Sequence, residues 1–397
     1  MDRKGGHRMS GKSVILQLHP ETLHWIRKEV QADMGDDSVI QLLEEWELGA
    51  KKPTLSQVQK LSNETHIPFG YFFLKEKPAE KYNVLEFRTL DSVYHGDGSQ
   101  ALRDTIFEML NVQDWMKQYR MHQGNGVLSY VGSLKNEIDA PIISASIRKK
   151  LDISTAWFQQ CKDADHAFKL IREKCEAIGI LVMLNSVVGA NTHRPLSLKE
   201  FRAFALCDSY APLIFINARD MAVGRLFSLL HEIVHIFVGA DNLFNATDED
   251  EHFSKSTETL CNKVAAEILL PSDYFLAFWD RCKREQADTM VCIKETGRVF
   301  HCSLTAVARR ALDLQRISST EYANYTKMFS QGYARNKEKG HGGNYYHTIQ
   351  SRIDKHFLKA LADSVLMGRT SYTEAFRLTN TNNKTFTHLV STLEGGK

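Results

Sequence analysis

The stretch that most narrows what this 397-residue chain can become is His231-Glu232-Ile233-Val234-His235. Two histidines four residues apart share one helical face, and their surroundings are spaced for a helix. Val223, Leu226, Phe227, Leu230, Val234 and Phe237 line one side until Gly239 ends the run. Side-by-side imidazoles on a helix can meet one metal ion at about 2.0–2.1 Å. Zn²⁺ suits them, being tetrahedral, tolerant of imidazole and able to bring the pKa of bound water to about 7. Glu232 falls one residue along, beside the ion rather than on it, where it can take a proton from that water. The bland alternative is a satisfied pair of core histidines. The predicted helix, set behind a strand, counts against it.

Such a site wants a third protein ligand and one open position. Asp241 lies ten residues after His231, where one zincin group places its third ligand, although Gly239 is one place off that group's glycine. His252 lies in a segment that reads as an acidic loop, with no fixed geometry. Glu258 opens a helix predicted over 257–270, with Asn262 and Ala265 on its face and small Ala265 and Ala266 allowing close approach to the first helix. A carboxylate on a second, closely packed helix is a rigid way to complete the site, so Glu258 is the favoured candidate. Glu267 reads as a surface or supporting group.

The rest of the chain divides by pattern. Residues 1–75 read as short helices, with Leu23, Ile26 and Val30, then Val39, Leu42, Leu43 and Trp46, then Leu55, Val58 and Leu61 as their apolar stripes. Residues 76–155 read as a charged linker followed by a long helix near 101–123. Residues 156–280 hold a helix over 164–178, strand candidates at Gly179–Leu184, Phe201–Leu206 and Pro212–Asn217, and the two helices above. Residues 281–397 read as helices broken by Gly340-His341-Gly342-Gly343-Asn344. The expected class is therefore α+β, with helical regions on either side of a small sheet.

Composition removes several classes of function. With 43% hydrophobic and 25% charged residues the chain is neither disordered nor collagen-like. Apolar runs fall short of the roughly 18 residues that a membrane helix needs, and the basic N-terminus lacks the apolar stretch of a signal peptide. The seven cysteines are scattered and never spaced as CxxC, so they read as reduced thiols of a cytoplasmic protein. Residues 281–397 carry 19 basic and 10 acidic side chains, a net of +9. That excess could meet nucleic acid or an acidic partner, or simply be a solvated face.

The segment from Glu258 onward reads Glu258-Thr-Leu-Cys-Asn262-Lys-Val-Ala-Ala-Glu-Ile-Leu-Leu-Pro271. Together with His231–His235 it resembles the ImmA/IrrE family of zinc metallopeptidases, whose pattern is HExxH followed by E-x-x-A-N-x-F-A-x-x-L-L-x-P. Cys261 and Val264 stand where the family usually has Ala and Phe. The resemblance implies a zincin-like core in which His231, His235 and Glu258 hold Zn²⁺ and Glu232 is catalytic. Phe201–Leu206 and Ala211–Asn217 resemble the segment preceding HExxH in the branch with an N-terminal XRE-type helix-turn-helix. Trp46-Glu47-x-Gly49, Glu86-Phe87-Arg88-Thr89 and Gly342-Gly343-Asn344-Tyr345-Tyr346 also fit that branch. The implied substrate is another protein, a helix-turn-helix repressor whose cleavage releases transcription.

Several expectations follow for the remaining residues. The segment corresponding to a recognition helix carries Asp36, Asp37, Glu44 and Glu45, and residues 1–75 are neutral overall. Phosphate contacts dominate DNA affinity, so this module should be a poor DNA binder, with at most weak, non-specific binding by the whole chain. Asn217 could bind a substrate backbone by edge addition, or merely end a strand. Arg88 reads as structural. His341 and His347 around the glycine-rich turn could bind phosphate or metal, but an inter-helix loop is the plainer reading. Rival functions are a non-proteolytic, zinc-containing regulator or antitoxin-like DNA-binding protein, and a toxin-like peptidase of a mobile element acting on a host protein.

Overall fold

The computed structural model describes residues 15–33, 37–65, 67, 69–75, 99–239, 250–286, 288–333 and 345–394. Asp36, Arg88, Asp241, most of the expected linker and the glycine-rich 340–344 turn lie outside these residues. The chain divides into two compact units, residues 1–82 with 97–103, and residues 83–96 with 104–397.

The first unit contains α1 (Pro20–Asp33), α2 (Asp37–Glu47), α3 (Leu55–Thr65) and a 3-10 turn over Phe69–Phe73. Its core is formed by the stripes read from the sequence, with Leu23, Ile26, Val30, Val39, Leu43, Trp46, Val58 and Leu61 buried, and Phe72 of the 3-10 turn joins them. The side chain of Arg27 bonds Glu47 at 2.8 Å and Lys51 bonds Glu45 at 2.8 Å, so part of the acidic charge of α2 is neutralised within the unit.

Helix α4 (Gln100–His122) belongs to the second unit from residue 104 onward, and there α5 (Ala140–Lys150) and α6 (Ala164–Ala177) lead into strand β1 (Leu181–Asn185). A short hairpin, β2 (Val187–Val188) and β3 (Asn191–Pro195), precedes β4 (Ala203–Leu206) and β5 (Leu213–Asn217). The sheet order is β1-β5-β4, with β1 parallel and β4 antiparallel to β5. Its two faces alternate along the strands. Val182, Leu184, Ile214 and Ile216 join the core shared with the following helix, whereas Met183 and Phe215 fall on the other face. Both faces are buried, which explains why these strands read as unbroken apolar runs.

Eight of the remaining helices follow β5: α7 (Ala222–Val238), α8 (Asp250–Leu269), α9 (Ser272–Glu285), α10 (Thr289–Val299), α11 (Leu304–Asp313), α12 (Ser319–Tyr333), α13 (Tyr345–Arg352) and α14 (Lys355–Leu366). The chain closes with α15 (Tyr372–Thr379) and α16 (Asn383–Glu394). Packing runs straight through residues 155 and 280. Ile143 and Ile147 of α5, and Cys292 and Ile293 of α10, share one core with α7. The edge of β1 is closed by Asp354, which accepts the N–H of Val182 at 3.0 Å while capping α14 through the N–H of Phe357 at 2.8 Å.

Two differences from the expected elements have plain causes. Helix α8 begins at Asp250, seven residues before the predicted 257, so His252 belongs to a helix rather than a loop. An acidic run disguised its first turns, although acidic groups suit a helix N-terminus. Helix α5 went unpredicted, yet it carries a readable start: Asp139 accepts the N–H of Ile142 at 3.1 Å, and Pro141 lies in the first turn.

The two helices that matter most are held at their C-terminal ends. On α7 the carbonyls of Ile236 and Phe237 accept the N–H groups of Gly132 and Leu134, each at 2.9 Å. On α8 three side chains take the terminal carbonyls: Arg148 reaches Glu267 at 3.2 Å, Trp157 reaches Ile268 at 3.0 Å and Arg310 reaches Leu270 at 3.1 Å. At Gly239, where φ is +84°, an added Cβ would lie 2.6 Å from the Cα of Gly132. Both the positive φ and the backbone contact exclude a side chain. Gly239→Ala should therefore destabilise the chain by about 2–4 kcal/mol, measured as a lowered urea midpoint. A midpoint matching the parent would contradict this close approach.

Candidate metal centre

The site is built on two helices. Helix α7 is apolar nearly all round and lies between α6, α8 and the sheet, so His231, Glu232 and His235 are buried with their helix. Helix α8 presents Cys261, Val264, Ala265 and Ile268 as a fully buried stripe, and Glu258 continues that stripe one turn earlier. The side chain of Glu258 remains 19% exposed, which leaves the site open on one side.

Three donor groups converge. Nε2 of His231 and Nε2 of His235 are 3.0 Å apart, Glu258 Oε1 lies 2.9 Å from His235, and Glu258 Oε2 lies 3.3 Å from His231. Ligands held 2.0–2.1 Å from a tetrahedral ion stand about 3.3 Å from one another. The spacing thus fits one small divalent cation. So does the state of Glu258 Oε1, a buried oxygen without a hydrogen bond of acceptable geometry. Among the described residues these three form a possible metal site.

The electrostatics agree with a cation-binding cluster. Burial pushes the Glu258 carboxyl up, but the adjacent His231 and His235 more than reverse it and hold it well below the usual carboxylate range. Burial pushes the His235 imidazole down, and its contacts with Cys261 and Glu258 reverse that, holding it above its ordinary value. Cys207 lies nearby, with its thiol directed at the carbonyl of His235 at 4.0 Å. Burial pushes that thiol up to about 12. Neither cysteine was singled out by spacing, because their approach to His235 comes from a strand end and a second helix.

Residues 175–312 match the model of a peptidase family, described as the IrrE N-terminal-like domain. That segment is therefore metallopeptidase-like, and it runs from the end of α6 to α11, containing every donor named above. A second model, of a domain of unknown function, matches residues 353–392. No curated protein matches the chain.

Other candidate residues have different surroundings. Asp241 lies outside the described residues, as does the side chain of His252. Asn217 is fully buried, and both ends of its amide are engaged: Nδ2 donates to the Phe201 carbonyl at 3.2 Å and Oδ1 accepts the N–H of Arg219 at 3.1 Å. It ends β5, the central strand of the sheet, so edge addition is closed to it. Glu267 is largely buried, paired with Arg310 and accepting from the N–H of Ser272 at 3.0 Å, which ties α8 to the start of α9. It supports the helix that carries Glu258.

Proposed function

We propose that the chain is a zinc-dependent endopeptidase that cleaves a regulatory protein, with a helix-turn-helix repressor as the substrate. The convergence of His231, His235 and Glu258, with Glu232 one residue along the same helix, carries this reading. A site that merely held the fold together would have no use for Glu232. Bound by those three residues, Zn²⁺ would lower the pKa of a water to about 7 and polarise a peptide carbonyl. Glu232 takes the proton of the attacking water and returns it to the leaving amine. Its burial in α7 keeps the carboxylate aimed and limits competing solvent. An extended substrate would add along β4, the sheet edge packed against α7. Incubating zinc-loaded protein with the products of neighbouring genes and reading fragments by mass spectrometry tests this. Discrete cleavage that a chelator stops is expected. Intact substrates under zinc-loaded conditions would favour the non-proteolytic regulator.

The first unit enters this reading as a degenerate helix-turn-helix module that docks protein rather than DNA. On α2, Asp37 and Glu44 are exposed, while Glu45 and Glu47 are tied to Lys51 and Arg27. Acidic groups facing phosphates add repulsion. Residues 1–75 should bind no operator at physiological salt in a gel-shift titration, and the full chain should show only weak, salt-sensitive binding through its basic C-terminal third. Tight, sequence-specific binding by residues 1–75 would move the transcription-factor reading ahead.

A further inference from the structure

The sheet face turned away from α7 carries a second concave site. Met183 of β1 and Phe215 of β5 form its floor, opposite the strand positions that pack on α7. Above them is a concavity open to solvent, walled by α4, the β2–β3 turn, the end of α13 and the end of α15. Its lining is mixed, with Met109, Met183, Phe215 and Leu378 beside the polar Glu108, Asn185, Arg352 and Asn380. Four of its lining residues, Ile353, Leu378, Thr379 and Asn380, lie in the matched domain of unknown function.

One carboxyl dominates this cavity. Glu108 of α4 is mostly buried, and its hydrogen-bond donors are neutral: Asn380 Nδ2 reaches Oε2 at 3.4 Å, and the N–H of Gly189 is the other. Arg194 of β3 is taken by Asp104 at 2.7 Å. Burial first, and the nearby Asp104 second, push the Glu108 carboxyl up to about 7, against the weaker pull of Asn380, Arg194 and Gly189. The backbone is shaped around this group. Asn380 ends α15 in the left-handed region with φ +51°, which asparagine tolerates. Gly189 has φ +53°, and a Cβ there would lie 3.0 Å from Glu108 Oε1 and 3.2 Å from Asn380 Oδ1. Asn185 holds the same turn, donating to the Gly189 carbonyl at 2.7 Å. Segments 272 residues apart in the chain thus meet at one carboxyl.

A buried carboxylate is costly without a counter-charge, and a cation arriving from the cavity would supply it. We propose that this cavity binds a small organic cation, a primary ammonium on an apolar body, with the ammonium on Glu108 and Asn380 and the body against Met109, Met183 and Phe215. The site lies on the other side of the sheet from the metal centre and does not depend on the peptidase reading.

Calorimetric titration of the full chain with 3-methylbutylamine and 2-phenylethylamine tests the assignment, beside uncharged 3-methylbutanol and zwitterionic L-leucine. At least one amine should bind tenfold or more tighter than the alcohol. Glu108→Gln keeps size and a partner for Asn380, and should abolish amine binding while circular dichroism shows an unchanged fold. Asn380→Gly keeps the left-handed turn and should weaken binding several-fold, a second check if the first variant misfolds. Binding should also strengthen from pH 6 to pH 8 as Glu108 ionises; Asp104, Arg194 and Arg352 are the other charged groups around the cavity. Absence of amine binding, equal binding of the alcohol, or amine binding that survives Glu108→Gln would overturn the proposal. Tighter binding of L-leucine than of either amine would do so too, assigning the cavity to a zwitterion that also uses Arg352.

Discussion

Glu232→Gln should lower peptide cleavage by about 10²–10⁴-fold, the usual weight of a lost general base, while zinc stays bound. The reasoning is geometric. The donors converge from positions 231, 235 and 258, and Glu232 is not among them. Glutamine has the same shape and stays buried in α7, so the helix should be unaffected. It has no basic oxygen to accept the water's proton. Elemental analysis alongside a fragment assay separates the two roles. Loss of zinc in this variant would make Glu232 a ligand and overturn the assignment. Unchanged cleavage would remove it from the chemistry altogether.

Glu258→Ala should weaken zinc binding by more than about 100-fold, beyond the 10–100-fold typical of a residue that only supports a ligand. This side chain faces both imidazoles, at 2.9 and 3.3 Å, and contributes the only negative charge of the cluster. Asp241→Ala and His252→Ala should leave affinity within a few-fold of the parent. Competition with a chromophoric chelator reads all three. Metal stripped by Asp241→Ala but not by Glu258→Ala would reverse the choice and, with it, the role of the α7–α8 pairing. Affinity should also fall as pH drops, because protons compete for His231 and His235.

Local pattern was enough for much of this protein. The stripes of α1 to α3, the unbroken apolar runs of β1, β4 and β5, and the periodicity of α7 are short-range signals, and each element formed near its expected place. His231, Glu232 and His235 were legible for the same reason, since a helix fixes the geometry of residues four apart. Glu258 was a stronger inference than its distance in sequence suggests, because the small residues after it announced a close helix–helix contact.

What only the tertiary structure decided concerns partners far apart in the chain. Nothing local in Asn217 says that its amide will be consumed by Phe201 and Arg219, or that β5 will be the central strand. Glu267 reads as a surface or supporting group, and only Arg310, 43 residues later, decides between the two by folding onto it. Gly239 reads as a helix stop, but its contact with Gly132 exists only once α7 has packed its C-terminal end against the much earlier segment that caps it. Glu108 and Asn380 carry no motif at all. Secondary structure follows from side-chain periodicity over a few residues, whereas burial, counter-charge and cavity shape arise when distant segments exclude water together.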